Sequence, residues 1–120
     1  MGISVQWRVE NEIAILELEG TLTLGPTLHL VRDAAREALA RKRIAGVVLD
    51  LKDVTTADSA GLGELTVVYS LAGKKAAGIA TTGASPLIRN MLEVTRLDGL
   101  LPLAPDLEAA KTLARSQARA

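Results

Sequence analysis

The chain has 120 residues, with 14 basic and 14 acidic side chains that cancel, one histidine and no cysteine. That length suits one domain with an ordinary core, and the missing cysteines exclude disulfides, thiolate catalysis and cysteine metal sites, in keeping with a reducing compartment. A balanced charge offers no global field for nucleic acid or anionic lipid, and Trp7 and Tyr69, the two aromatic side chains, stand far apart in sequence.

No apolar run approaches the roughly 20 residues of a membrane helix, and Gln6, Arg8 and Glu10 interrupt any signal-peptide core. Met1-Gly2 is an ordinary start, since Gln6 stands where a myristoylation pattern wants Ser or Thr. The expected location is the cytoplasm, without membrane insertion.

Ile3, Val5, Trp7 and Val9 alternate with polar residues, and Ile13 to Leu18 is a second β-like run after Asn11-Glu12, so two strands open the fold. Gly25-Pro26-Thr27 starts a segment in which Leu28, Val31, Ala35, Ala38 and Leu39 recur at helical spacing. Arg32, Asp33, Arg36 and Glu37 lie off that stripe, and the cluster Arg41-Lys42-Arg43 suits a helix C-terminus. Val47 to Leu51 is a nearly continuous apolar run, the pattern of a central strand covered on both faces.

A connection over Asp53-Val54-Thr55-Thr56-Ala57 leads to a second helix whose inner face is marked by Leu62, Leu65, Tyr69 and Ala72, with its stop at Gly73. Ala76 to Thr81 returns as a strand, giving a parallel crossover. Ser85-Pro86 caps a third helix through Ile88, Met91, Leu92 and Thr95. Leu100 to Leu103 suggests a short edge strand, because Pro102 cannot donate to a central ladder. Asp106 caps a last helix carrying Leu107, Ala110, Leu113 and Ala114, and residues 115–120 read as a fraying tail. The expectation is one α/β domain over residues 1–120, with a mixed sheet of about four to five strands and about four helices.

Enzyme motifs fail one by one. Ser59 has Ala57 where a nucleophile elbow needs its first glycine, and the single histidine, His29, sits on the first helix beside Leu28 and Leu30. Gly61-Leu62-Gly63 has Thr66 where a dinucleotide fingerprint needs its third glycine, so these glycines read as aids to tight packing at the helix start. Gly73-Lys74-Lys75 has Val68 in place of the first P-loop glycine. Asp50, Asp53 and Asp58 are too few oxygen ligands for a hard cation, and no cofactor is expected.

What remains is Asp58-Ser59-Ala60-Gly61-Leu62-Gly63, directly after a buried strand. The pattern puts Ser59 at a helix N-terminus, among backbone N–H groups without intrahelical partners. Asp58 is readable either as the helix cap or as a functional carboxylate, and both roles are compatible. Small Ala57, Ala60 and Gly61 leave room for another protein to approach, and a phosphate on Ser59 would add about −1.5 to −2 of charge.

At these residues the chain resembles the STAS domain family, the fold shared by bacterial anti-sigma factor antagonists and by cytoplasmic modules of sulfate transporters. The resemblance runs from about Ile3 to Leu113, strongest at Val48-Leu49-Asp50-Leu51 and Asp58-Ser59-Ala60-Gly61-Leu62-Gly63, with support from Leu18-Glu19-Gly20, Gly78, Gly83 and Arg96-Leu97-Asp98-Gly99-Leu100. It implies a non-enzymatic, phosphorylation-switched binding module. Ser59 matches the serine phosphorylated by a partner anti-sigma factor that is itself a serine kinase, and a serine phosphatase restores the unmodified form. Unmodified, such an antagonist holds the kinase and frees the sigma factor.

The resemblance makes Asp58, Ala60, Gly61, Leu62 and Gly63 the residues that shape the site. Ala60 removes the second hydroxyl that many relatives carry there, which sharpens the assignment to Ser59 over Thr55 and Thr56. The loop after the second strand, where the family often has an Asp in the partner surface, reads Gly20-Thr21-Leu22-Thr23-Leu24-Gly25, and Thr23 is expected to stand in that surface. An alternative is a scaffold or regulatory subunit of a transport ATPase or stress-signalling assembly, with Ser59 an unmodified cap. A serine hydrolase is a third reading.

Overall fold

A computed structural model describes residues 2–118. Strands β1 (Ile3–Glu10) and β2 (Ile13–Leu22) form a hairpin, followed by helix α1 (Leu30–Leu39), strand β3 (Gly46–Ala57) and helix α2 (Ser59–Lys74). Strand β4 (Gly78–Thr82), helix α3 (Pro86–Val94), a short 3-10 turn (Leu97–Gly99), strand β5 (Leu103–Ala104) and helix α4 (Leu107–Ser116) complete the chain. The five strands lie in sequence order, β1 antiparallel to β2 and the remaining neighbours parallel.

The hairpin turn places Asn11 and Glu12 at φ of 51 and 70, the left-handed pair that matches the twist of a two-residue connection. The parallel strands then point their carboxyl ends one way, so α1, α2, α3 and α4 all start at that end of the sheet. β3 lies in the middle and is buried on both faces from Gly46 to Leu51.

The main core contains residues of α1, α2 and α3 with one face of the sheet. α4 closes the other face over Ile13, Ile15, Val48 and Ala80 with the small side chains Ala110 and Ala114. It lies so close that a Cβ on Gly46 would come 2.9 Å from that of Ala114.

Several boundaries differ from the sequence reading. The Asp53–Ala57 stretch is strand, because Glu19 to Leu22 of β2 pair with it beyond the point where β4 ends. α1 starts at Leu30, three residues after Thr27, whose hydroxyl accepts the Ile3 N–H at 3.0 Å and so belongs to the preceding loop. α2 runs through Gly73 to Lys74, with the left-handed residue at Ala76. Its buried face carries Glu64 and Val68, whereas Tyr69 is exposed.

β4 begins at Gly78 rather than Ala76. β5 is an edge strand as expected but starts after Pro102, whose carbonyl accepts the Thr81 N–H at 2.8 Å. In the expected tail, Arg115 and Ser116 are helical and Arg115 bonds the Asn11 carbonyl; residues 119–120, like Met1, lie outside the described ones.

Candidate functional site

Asp58 ends the run of β3 in extended backbone, and α2 starts at the next residue. Its side chain works in two directions. One carboxylate oxygen accepts the Gly61 N–H at 2.8 Å, satisfying an orphan donor of the helix, and the other accepts the Leu24 N–H at 3.0 Å from the loop after β2. The Asp58 N–H in turn donates to the Leu22 carbonyl at 3.2 Å. These backbone donors, Gly61 first and Leu24 second, hold the Asp58 carboxyl below the ordinary aspartate range.

Ser59 therefore occupies the first position of α2 with its side chain exposed, beside a carboxylate that stays ionised. The sequence places it correctly, at the exit of the central strand. Gly61 is required by packing: a Cβ there would run into the Leu22 carbonyl and sit 2.9 Å from the Leu22 Cγ. Gly63 is different. Nothing lies within 4 Å of where its Cβ would be, so the expectation that both glycines serve tight packing holds for Gly61 alone.

Ala60 is half-buried against the main core, and Leu62 is 4% exposed within it. Leu62 thus fastens the helix from below. Thr23 is half-buried, with its hydroxyl 3.4 Å from that of Thr21, while its neighbour Leu24 is 78% exposed. Leu24 is the side chain sequence reasoning missed here. Its signal was a large apolar residue between two loop residues, Thr23 and Gly25.

A second omission lies one turn further along α2. The Glu64 carboxylate is buried between α1 and α2, where it accepts the Arg32 backbone N–H at 3.2 Å and the Arg32 Nε–H at 2.9 Å. His29, at the cap position of α1, makes no side-chain capping bond, so Glu64 supplies from another helix what α1 lacks. The Arg32 guanidinium, followed by burial acting in the opposite sense, leaves Glu64 below the usual glutamate range.

The remaining candidates disperse. Asp50 accepts the Lys52 N–H at 3.1 Å and pairs with its ammonium at 2.9 Å, Asp53 approaches the same lysine, and Asp58 faces the backbone of Gly61 and Leu24. Three aspartates near in sequence therefore do not converge, and no metal-holding group of His, Cys, Asp or Glu occurs among the described residues. Thr55 donates to the Gly20 carbonyl at 3.2 Å. His29 is exposed, 3.7 Å from Asp33.

A concavity of about 450 Å³ lies at the far end of α2, lined by Tyr69, Gly73, Lys74 and Gly78 among others. No residue from Asp58 to Gly63 is in the lining of that concavity. Among the described residues no helix is long and apolar enough to cross a membrane.

A family model described as "Mlab, STAS domain" matches residues 6–102, which include both halves of the Val48–Leu51 and Asp58–Gly63 pattern. The chain belongs to the STAS domain family. An anti-sigma F factor antagonist of Paenibacillus polymyxa is 27% identical over 103 residues, covering 86% of this chain and 87% of the relative. The crystal structure of an anti-sigma factor antagonist from Mycobacterium paratuberculosis superposes with a TM-score of 0.78 at 25% identity, covering 94% of each chain. A sulfate transporter family protein from Wolinella succinogenes shares the fold at 16% identity, with a TM-score of 0.71 over 92% of this chain and 90% of that one. This STAS domain thus resembles both classes in fold, and the Paenibacillus relative in sequence is an antagonist.

Proposed function

We propose that this STAS domain is an anti-sigma factor antagonist, acting in the cytoplasm, whose partner is a serine-kinase anti-sigma factor and whose switch is Ser59. The observation that carries the reading is an exposed hydroxyl at the first position of α2, next to a carboxylate that already occupies the neighbouring N–H groups. Likeness to named antagonists in sequence and in fold supports the same class.

The partner covers the surface formed by Leu24, Ser59 and the bare backbone at Gly63, with Thr23 and Ala60 at its edge. Phosphorylation transfers the γ-phosphoryl group of ATP to the Ser59 oxygen: an O–P bond forms, the bond to ADP breaks, and the hydroxyl proton passes to a base of the kinase. About two negative charges then stand beside Asp58. Burying that pair in an interface costs a few kcal/mol, a loss of roughly a hundredfold in affinity. A serine phosphatase hydrolyses the ester and restores binding. The STAS domain supplies the acceptor and no catalytic group.

Protein isolated from its native cell, analysed by phosphopeptide mass spectrometry and partner pull-down, tests this directly. Ser59→Ala is expected to bind its kinase constitutively and take no phosphate, and Ser59→Asp to bind about a hundredfold more weakly. Equal phosphorylation of the Ala variant would refute the site. A second reading, a constitutive subunit of a transport or stress-signalling assembly, is favoured by the transporter-family likeness in fold and predicts that Ser59→Asp leaves partner binding intact.

A further inference from the structure

The zero net charge conceals an uneven distribution. Arg36, Arg41, Lys42, Arg43, Lys74 and Lys75 all lie exposed around the carboxyl ends of α1 and α2, the end of the molecule opposite Ser59. Arg36 reaches Asp33 at 3.8 Å, Arg41 lies 5.2 Å over the Trp7 ring, and the other four have no carboxylate partner among the described residues.

Two helix C-termini carry together about one negative charge. With Asp33 and Glu37 also set against them, a large positive excess remains, more than capping the helices requires. Between the helices, in the midst of these cations, opens a groove of about 170 Å³ with Leu39, Ala40 and Leu71 in its lining and Arg36, Lys74 and Lys75 beside them.

We infer that this groove is a second docking site, for an acidic segment of another protein that inserts one apolar side chain. The cations select carboxylates, and the lining rewards burial of a single leucine-sized group. A recess between helices suits an inserted side chain better than a flat bilayer surface, which requires apolar residues that protrude. Stacking of single-stranded bases would call for an open aromatic face, and Arg41 lies over the Trp7 ring.

The groove is lined by Leu71 and Lys74 of α2, so about 18 to 22 Å of helix separates it from Ser59. Occupancy at one end leaves the other open, and the domain becomes a two-ended adaptor. This inference does not depend on phosphorylation of Ser59.

The test is fluorescence anisotropy of the full chain with a labelled synthetic peptide rich in aspartate and glutamate around one central leucine. The peptide is expected to bind with strong salt dependence, and the double variant Lys74→Glu, Lys75→Glu to bind it at least about tenfold more weakly. Replacing the peptide's leucine by serine is expected to weaken binding about tenfold, and Ser59→Asp to leave it within about twofold. Lys74→Gln with Lys75→Gln, a milder pair at exposed positions, gives an intermediate loss. No peptide binding, binding indifferent to the lysines or to the leucine, or sedimentation of the protein with phosphatidylglycerol vesicles in place of peptide binding would overturn the inference.

Discussion

The two ends of α2 are built on opposite plans. At its start, Asp58 ties helix and loop together through two backbone donors, and Gly61 presses on the Leu22 carbonyl with no room for a methyl group. At its finish, Gly73 faces open space and the flanking lysines stand unpaired in solvent among the described residues. The lesson is that cross-links and close packing are concentrated where the serine is exposed. The far end is shaped by charge instead.

Glycine substitutions probe that contrast most strongly. Gly61→Ala is expected to destabilise the fold by about 3 kcal/mol, because backbone rather than a flexible side chain blocks the added carbon. Gly73→Ala is expected to stabilise by about 1 kcal/mol, as an open helical position permits. Urea denaturation of the two variants reads both signs, and equal effects would erase the distinction.

Next in size is the contact that joins the start of α1 to α2. Arg32→Ala leaves the Glu64 carboxylate buried without its guanidinium and is expected to destabilise the fold, by less than Gly61→Ala because the Arg32 side chain is itself 39% exposed. Glu64 and Asp58 both titrate below their ordinary values, so their contribution is complete above the unfolded-state pKa values of about 4.3 and 3.9. It is lost as pH falls through the lower folded values. Denaturation midpoints measured from pH 7 downward should therefore drop below about pH 5, less steeply in Glu64→Gln.

The smallest effect separates stability from binding. Gly63→Ala fills open space and is expected to stabilise α2 by about 1 kcal/mol while placing a methyl group on the proposed partner surface. A stabler variant that binds the partner more weakly, measured by calorimetry on the same preparation, supports that placement. Unchanged binding confines the interface to residues before Gly63.

Much of the fold was legible in the chain. Alternation marked β1, the apolar run Val47 to Leu51 marked the buried centre, and Ser85-Pro86 and Asp106 announced two helix starts through caps that the structure contains. The extension of β3 was hidden because Lys52, Asp53 and Thr55 are exposed and read as a connection, while what pairs them lies on β2.

The position of Ser59 was legible for a local reason: the cap, the small residues and the strand before it are consecutive. Leu24, the Arg32–Glu64 contact and the difference between Gly61 and Gly63 were not, since each is decided by a neighbour distant in sequence. Glu64 illustrates the point well. A charged residue on an apolar helix face carries no mark of the arginine that makes its burial tolerable.

β3 projects beyond β4, which stops at Thr82, so from Leu51 onward it has a strand neighbour on the β2 side alone. Along that overhang the register with β2 slips twice, between Glu17 and Glu19 and between Gly20 and Thr21, and the Lys52 N–H turns to the Asp50 carboxylate. Deuterium uptake should therefore be faster from Lys52 to Ala57 than from Val47 to Asp50, which β2 and β4 flank on both sides. The strand that leads to the serine is thus held in the sheet along one margin, while the centre is held along two.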